Sequence, residues 1–150
     1  MRIRSYLCLV LNLALLIPSA SAQSVDPQAL CHQAALQIFG EVDQGERVWS
    51  GGSKRISTEY ESHYKTEVAK CFLFIETADM MGATPSTEAR LFDLTTRYPD
   101  LRYAKYLKIA QYLAINGKMS SNEYVDEHRM SHKLASRAEF DLFVSGLMKD

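Results

Sequence analysis

The sequence has no excess of charge of either sign, no apolar run long enough to cross a bilayer, few prolines and little cysteine. Each shortage removes a class of protein. With 17 Lys plus Arg against 18 Asp plus Glu, the 150 residues carry a net charge of -1, too balanced for a chain that coats nucleic acid or an anionic surface. Four prolines and seven glycines exclude a fibrous or low-complexity chain, and an apolar content of 47% is that of one ordinary globular domain. The longest apolar run, Tyr6 to Ile17, falls well short of the roughly 20 residues a membrane-crossing helix needs. No G-x-S-x-G, no G-x-x-x-x-G-K-[ST] and no glycine-rich turn after a strand is present. The common hydrolase and nucleotide signatures are therefore missing, although a triad assembled across a fold leaves no such mark.

What the chain does have is a clear N-terminal signature. Arg2 and Arg4 precede the apolar run, Pro18 breaks it, and Ser19-Ala20-Ser21-Ala22 offers the small-residue A-x-A pattern before Gln23. Residues 1–22 are expected to be a secretory signal cleaved after Ala22, leaving residues 23–150 as a single small globular domain, periplasmic or secreted. Cleavage takes two arginines and no acids, so the remaining chain holds 15 basic against 18 acidic residues. Cys8 leaves with the signal, and Cys31 and Cys71 remain as an even pair in a compartment where disulfides persist. They are expected to bond to each other. A free reactive thiol would instead need a deprotonating neighbour such as His32 or Lys70.

Asp26 and Pro27 read as an N-cap and a first-turn proline. Leu30, Cys31, Ala34, Ala35 and Ile38 then recur at helical spacing until Gly40, which is expected to end the helix. Glu41 to Ser53 reads as a loop with Val48 and Trp49 as apolar anchors. Ile56 to Tyr64 and Lys70 to Glu76 are expected to be two strands joined by a polar turn, because the five bulky residues Cys71 to Ile75 bury both faces of a central strand better than one stripe of a helix. Met80 to Ser86, with Gly82 and Pro85, reads as an exposed connection, and Leu91, Phe92 and Leu94 as a short helical turn before Tyr98-Pro99-Asp100. Leu101 to Ile115 is read as strand, because Asn116-Gly117 between apolar residues is a strong hairpin signal. Ser136-Arg137-Ala138-Glu139 is a capping box opening an amphipathic helix from Arg137 to Met148. The whole is expected to be α+β, a small, mostly antiparallel sheet of three to four strands flanked by an N-terminal and a C-terminal helix.

The helical Cys31, followed by His63-Tyr64 and then Lys70-Cys71-Phe72, resembles a pattern found in a group of small exported bacterial proteins of uncharacterised function: a helical cysteine, H-Y-N, several residues, and K-C-F. The resemblance spans Cys31 to Ile75, with a fainter echo at the C-terminal helix, and Lys65 stands where the pattern has Asn. It implies an exported protein and carries no catalytic residues.

His128 and His132 are four residues apart as in H-E-x-x-H, but Arg129 stands in place of the glutamate, and Tyr124, His128, Met130 and Leu134 alternate as on a strand. There the two imidazoles would lie about 13 Å apart, so neither a metal nor another cofactor is expected. Arg102 to Lys108 interleaves basic and aromatic residues, the composition that stacks bases, yet three cations make a small footprint on an acidic chain and no nucleic-acid partner is expected. Glu59 and Glu61, and Asp126 and Glu127, read as solvated edge charges that discourage strand pairing between molecules. Tyr60, Tyr64, Tyr103, Tyr106, Tyr112 and Tyr124 read as an exposed tyrosine-rich face. Two functions follow. The first is a non-enzymatic binding module of the cell envelope, with an envelope protein as its candidate partner, not membrane-embedded after signal removal. The second is a small extracytoplasmic hydrolase or metal-dependent enzyme built around His63, His128 and His132.

Overall fold

The computed structural model describes residues 26–49, 53–97 and 106–150, with side chains for 26–41, 54–95 and 107–150. Its elements are α1 (Pro27–Trp49), β1 (Ser53–Lys65), β2 (Lys70–Met81), β3 (Thr84–Arg97), β4 (Tyr106–Ile115), β5 (Lys118–Val125), β6 (Ser131–Lys133) and α2 (Arg137–Leu147). The strands form one sheet in chain order, β1-β2-β3-β4-β5-β6, every neighbour antiparallel. The α+β class and the two flanking helices agree with the sequence. The sheet has six strands rather than three to four.

The extra strands arise where apolar residues face both ways. Leu91, Phe92 and Leu94, which the sequence suggested as a helical turn, lie in β3: Leu91 points to one side of the sheet and Phe92 and Leu94 to the other. A central strand covered on both faces loses the polar alternation that marks a strand, so its apolar residues mimic helical clustering. The expected connection from Met80 to Ser86 shrinks to Gly82-Ala83, where Gly82 takes a φ of 65° and lets β2 turn directly into β3. Pro85, inside β3, has no amide to donate, but its carbonyl accepts from the amide of Asn116 at 2.7 Å. That bond fastens the β4–β5 hairpin to β3. The hairpin itself is as expected: Asn116 and Gly117 hold φ values of 52° and 71°, the paired left-handed conformation of a tight two-residue turn. Tyr98-Pro99-Asp100 and Leu101 to Lys105 lie outside the described residues, as does the signal segment.

The Asp26 carboxylate accepts from the Gln28 amide at 3.0 Å and its carbonyl from the Leu30 amide at 3.1 Å, so α1 starts as the sequence indicates. It does not stop at Gly40. It continues to Trp49, and the expected loop from Glu41 begins as helix. A glycine ends a helix by adopting the left-handed conformation; Gly40 has no positive φ and simply occupies an interior position, at a cost of about 1 kcal/mol relative to alanine. The Trp49 side chain lies outside the described residues.

One helix covers each face of the sheet. Beneath α1, Cys31, Ala35 and Ile38 pack on Cys71, Leu73, Ile75, Phe92 and Leu94, flanked by Ala34, Phe39, Tyr60 and Tyr64. Leu30, which the helical spacing put on the buried side, is 53% exposed. On the opposite face Phe140, Val144 and Met148 pack on Phe72, Ala89, Leu91, Ile109 and Ala110. The run Cys71 to Ile75 thus feeds both cores in alternation, as its composition required. The capping box is present: Ser136 Oγ accepts from the Glu139 amide at 3.2 Å, and Glu139 reaches back to the Ala135 amide at 2.7 Å. Arg137 secures the helix start to the sheet with a two-pronged bond to Glu76, at 3.0 and 3.2 Å, while its guanidinium lies 4.9 Å from the Tyr112 ring centre.

Candidate functional site

The disulfide sets the geometry of an apolar groove. Cys31 and Cys71 are joined, with Cα atoms 5.4 Å apart across a sequence separation of 40. This is the pairing the cysteine count required. The bond ties the first turns of α1 to the start of β2. Phe39, two turns further on, stacks on Tyr60 with ring centres 4.5 Å apart, so α1 runs antiparallel to β1. Gln28 adds a second tie. Its amide nitrogen donates to the Ser62 carbonyl at 3.2 Å and its oxygen accepts from the Tyr64 amide at 2.7 Å, occupying the outer edge of β1 in the manner of a neighbouring peptide group. His32 Nδ1 lies 3.1 Å from Ser62 Oγ.

Between the N-terminal turns of α1 and β3 these ties leave a groove of about 300 Å³, lined by Pro27, Leu30, Cys31, Ala34, Tyr64, Cys71 and Leu94. Its wall is apolar, and Leu30 stands half-exposed at it. A volume of this size sits at the lower end of the range for small-molecule pockets. Except for the two cysteines and Tyr64, the sequence offered no signal for these residues. The groove forms because the helix start and the far end of β3, distant in the chain, are brought together by the bridge.

Among the described residues the tyrosines of the expected face are not exposed. Tyr60 and Tyr64 are half-buried under α1, and Tyr112 and Tyr124 under α2. At the rim of a helix-covered sheet a tyrosine buries its ring while its hydroxyl stays near water. The side chain of Tyr106 and all of Tyr103 lie outside the described residues. Of the basic and aromatic run ending at Lys108, Leu107 packs with the α2 core, while Lys108 is exposed and hydrogen-bonds to Gln111. Gln111 in turn donates to Glu88 at 2.8 Å, and Arg90 Nε lies 3.8 Å from the same carboxylate. These groups lie along the face of β3 and β4 opposite α2. Glu59 and Glu61 are exposed on the edge strand β1, as expected of edge charges.

The three histidines of the enzymatic reading are not brought together. His63 lies on β1, with Nε2 3.3 Å from the Asp150 carboxylate, whereas His132 lies on β6 at the other edge. Five strand spacings of about 4.8 Å separate them, roughly 24 Å. His128 is on neither the expected strand nor a helix: β5 ends at Val125, and residues 126–130 make a turn before β6. That turn is organised by Asp126, whose role is structural rather than that of a solvated charge. One carboxylate oxygen accepts from the amides of His128 and Met130, both at 2.9 Å, and the other accepts from His132 Nε2 at 2.7 Å. His132 stacks on Tyr124 at 4.9 Å, and Tyr124 meets Phe143 of α2 at 4.6 Å. Among the described residues no group of three or more His, Cys, Asp or Glu is arranged to hold a metal ion.

The hydrogen bond from His132, then those from the Met130 and His128 amides, hold the Asp126 carboxyl below its ordinary value of 3.8. A depressed carboxyl contributes stability above the unfolded value, and that stability is lost as pH falls through the folded one. The Asp126 carbon resonance is therefore expected to titrate below 3.8, and to move upward in His132→Ala. An unchanged midpoint in that variant would remove His132 as the main cause.

Among the described residues no helix is long and apolar enough to cross a membrane. The disulfide is the mark of a protein folded in an oxidising environment. Compared with protein families, with curated proteins and with solved structures, the chain matches none of them.

Proposed function

We propose that the chain is an exported, non-enzymatic binding module of the cell envelope, and that it holds an apolar segment or small apolar ligand in the groove beside the disulfide. The observation that carries this reading is the groove itself, an apolar cleft of about 300 Å³ whose walls are cross-linked rather than merely packed. A preformed site of that kind loses little conformational freedom on binding. The separation of His63 from His132 weighs against the second reading, a hydrolase or metal-dependent enzyme, because its three proposed groups cannot meet at one substrate.

The test uses the exported chain, whose intact mass should correspond to a start at Gln23. An apolar fluorescent probe, anilinonaphthalene sulfonate, is titrated into the wild type, into Ala34→Phe, which fills the groove, and into Leu142→Ala, which removes an exposed side chain elsewhere. Saturable binding is expected in the wild type and in Leu142→Ala, with affinity reduced about tenfold or more in Ala34→Phe. Equal binding by all three would discard the groove as the site.

A further inference from the structure

The two helices pack on opposite faces of the sheet, and their two cores share no side chain. The α1 core consists of Cys31, Ala35, Ile38, Cys71, Leu73, Ile75, Phe92 and Leu94; the α2 core is built around Phe140, Leu91 and Phe72. A molecule with one common core loses it all at once, whereas one with a core on each side of a sheet can lose one side and keep the other. Apart from the main chain that runs on from α1 into β1, α1 is joined covalently to the sheet by the Cys31–Cys71 bond, whose two cysteines, 3% and 9% exposed, lie at the wall of the groove.

We propose that this disulfide is a redox latch: a dithiol entering the groove reduces it and releases α1 from the sheet, while the strands and α2 stay folded. A thiolate of the dithiol attacks one sulfur of the bridge, forming a mixed disulfide and freeing the other cysteine as a thiol. The second thiol of the reductant then displaces the first cysteine, so the protein gains two thiols and the dithiol leaves as a disulfide. Two electrons and two protons move in all.

What remains to hold α1 after reduction is, among the described residues, modest. Among the described residues it buries Ala35 and Ile38 besides Cys31, stacks Phe39 on Tyr60, and makes exposed hydrogen bonds through Gln28 and His32. What remains to hold α2 is untouched: Phe140 is fully buried, Arg137 grips Glu76, and the Lys65 ammonium donates to the Lys149 carbonyl at 2.8 Å. Release would uncover Leu73, Ile75, Phe92 and Leu94 with Tyr60 and Tyr64, an apolar surface that includes the sheet wall of the former groove. The inference does not rest on the binding reading, since it concerns the helix and the bridge alone.

Hydrogen exchange read by mass spectrometry on the chain beginning at Gln23, with and without dithiothreitol, tests it. Amides of residues 30–41 should exchange about a hundredfold faster after reduction, and those of 109–112 and 140–144 should change by less than about threefold. The variant carrying Cys31→Ala and Cys71→Ala should show the reduced pattern without any dithiol. Simultaneous loss of protection on both faces, no change at 30–41, a bridge that resists dithiothreitol until denaturant is added, or failure of the double variant to fold would each overturn the latch. Probe binding to oxidised wild type is measured separately, so failure of the groove proposal is distinguishable from failure of this one.

Discussion

Phe140→Ala is expected to destabilise the protein by about 3 to 5 kcal/mol, a large share of the 5 to 15 typical of a domain. Phe140 has no exposed surface. Its ring centre lies 5.9 Å from that of Tyr112 and 6.5 Å from that of Phe74, and the Arg137 guanidinium stands 5.7 Å away. Truncation leaves a void between α2 and three strands, and relaxation can fill it only by lowering the helix onto the sheet. The Glu76–Arg137 bond at one end and the Lys65–Lys149 bond at the other resist that movement. Urea unfolding followed by circular dichroism checks the value. A loss below about 1 kcal/mol would mean that α2 contributes little to the folded state, contrary to the packing seen.

Replacing both cysteines by serine has the second large expected effect, a loss of up to about 4 kcal/mol, reached in full only where α1 stays docked. On the chain-entropy account a cross-link closing a loop of about 40 residues removes that much freedom from the unfolded chain, and the observed separation is 40. The two replacements act on different faces and share no packing partner. Their effects should therefore add to within about 0.5 kcal/mol. Guanidinium unfolding of the single, double and combined variants gives both numbers. A combined loss far from the sum would show that the faces are coupled through the sheet.

Some of this arrangement was legible in the chain because the signals are local. The helix start at Asp26-Pro27, the turn at Asn116-Gly117 and the cap at Ser136-Arg137-Ala138-Glu139 each depend on a few adjacent residues and their own backbone hydrogen bonds. All three are present where the sequence puts them. The strand identity of Cys71 to Ile75 was legible for a different reason: five consecutive bulky residues leave no polar side to face water. By the same physics β3 was not legible, because Leu91, Phe92 and Leu94 on a doubly covered strand give no alternation to read. Gly40 misled because its residue type permits a helix end without requiring one. Asp126 read as an edge charge and His132 as half of an incomplete H-x-x-x-H pair, since their hydrogen bond depends on a turn whose path the local sequence does not reveal.

Local pattern was enough for the α+β class, the two helix starts and the central strand, and it led to the expected partnership of Cys31 with Cys71. These follow from short-range stereochemistry and from the simple arithmetic of thiols. The six-stranded meander with a helix on each face, the half-covered setting of Tyr60, Tyr64, Tyr112 and Tyr124, and the placing of His63 and His132 at opposite edges came from three-dimensional packing instead. That packing also decided where the groove lies, between Pro27 and Leu94. Each of those facts depends on which distant segments meet, and that is set by the register of the strands and the bridge between helix and sheet, neither of which any one stretch of the chain contains.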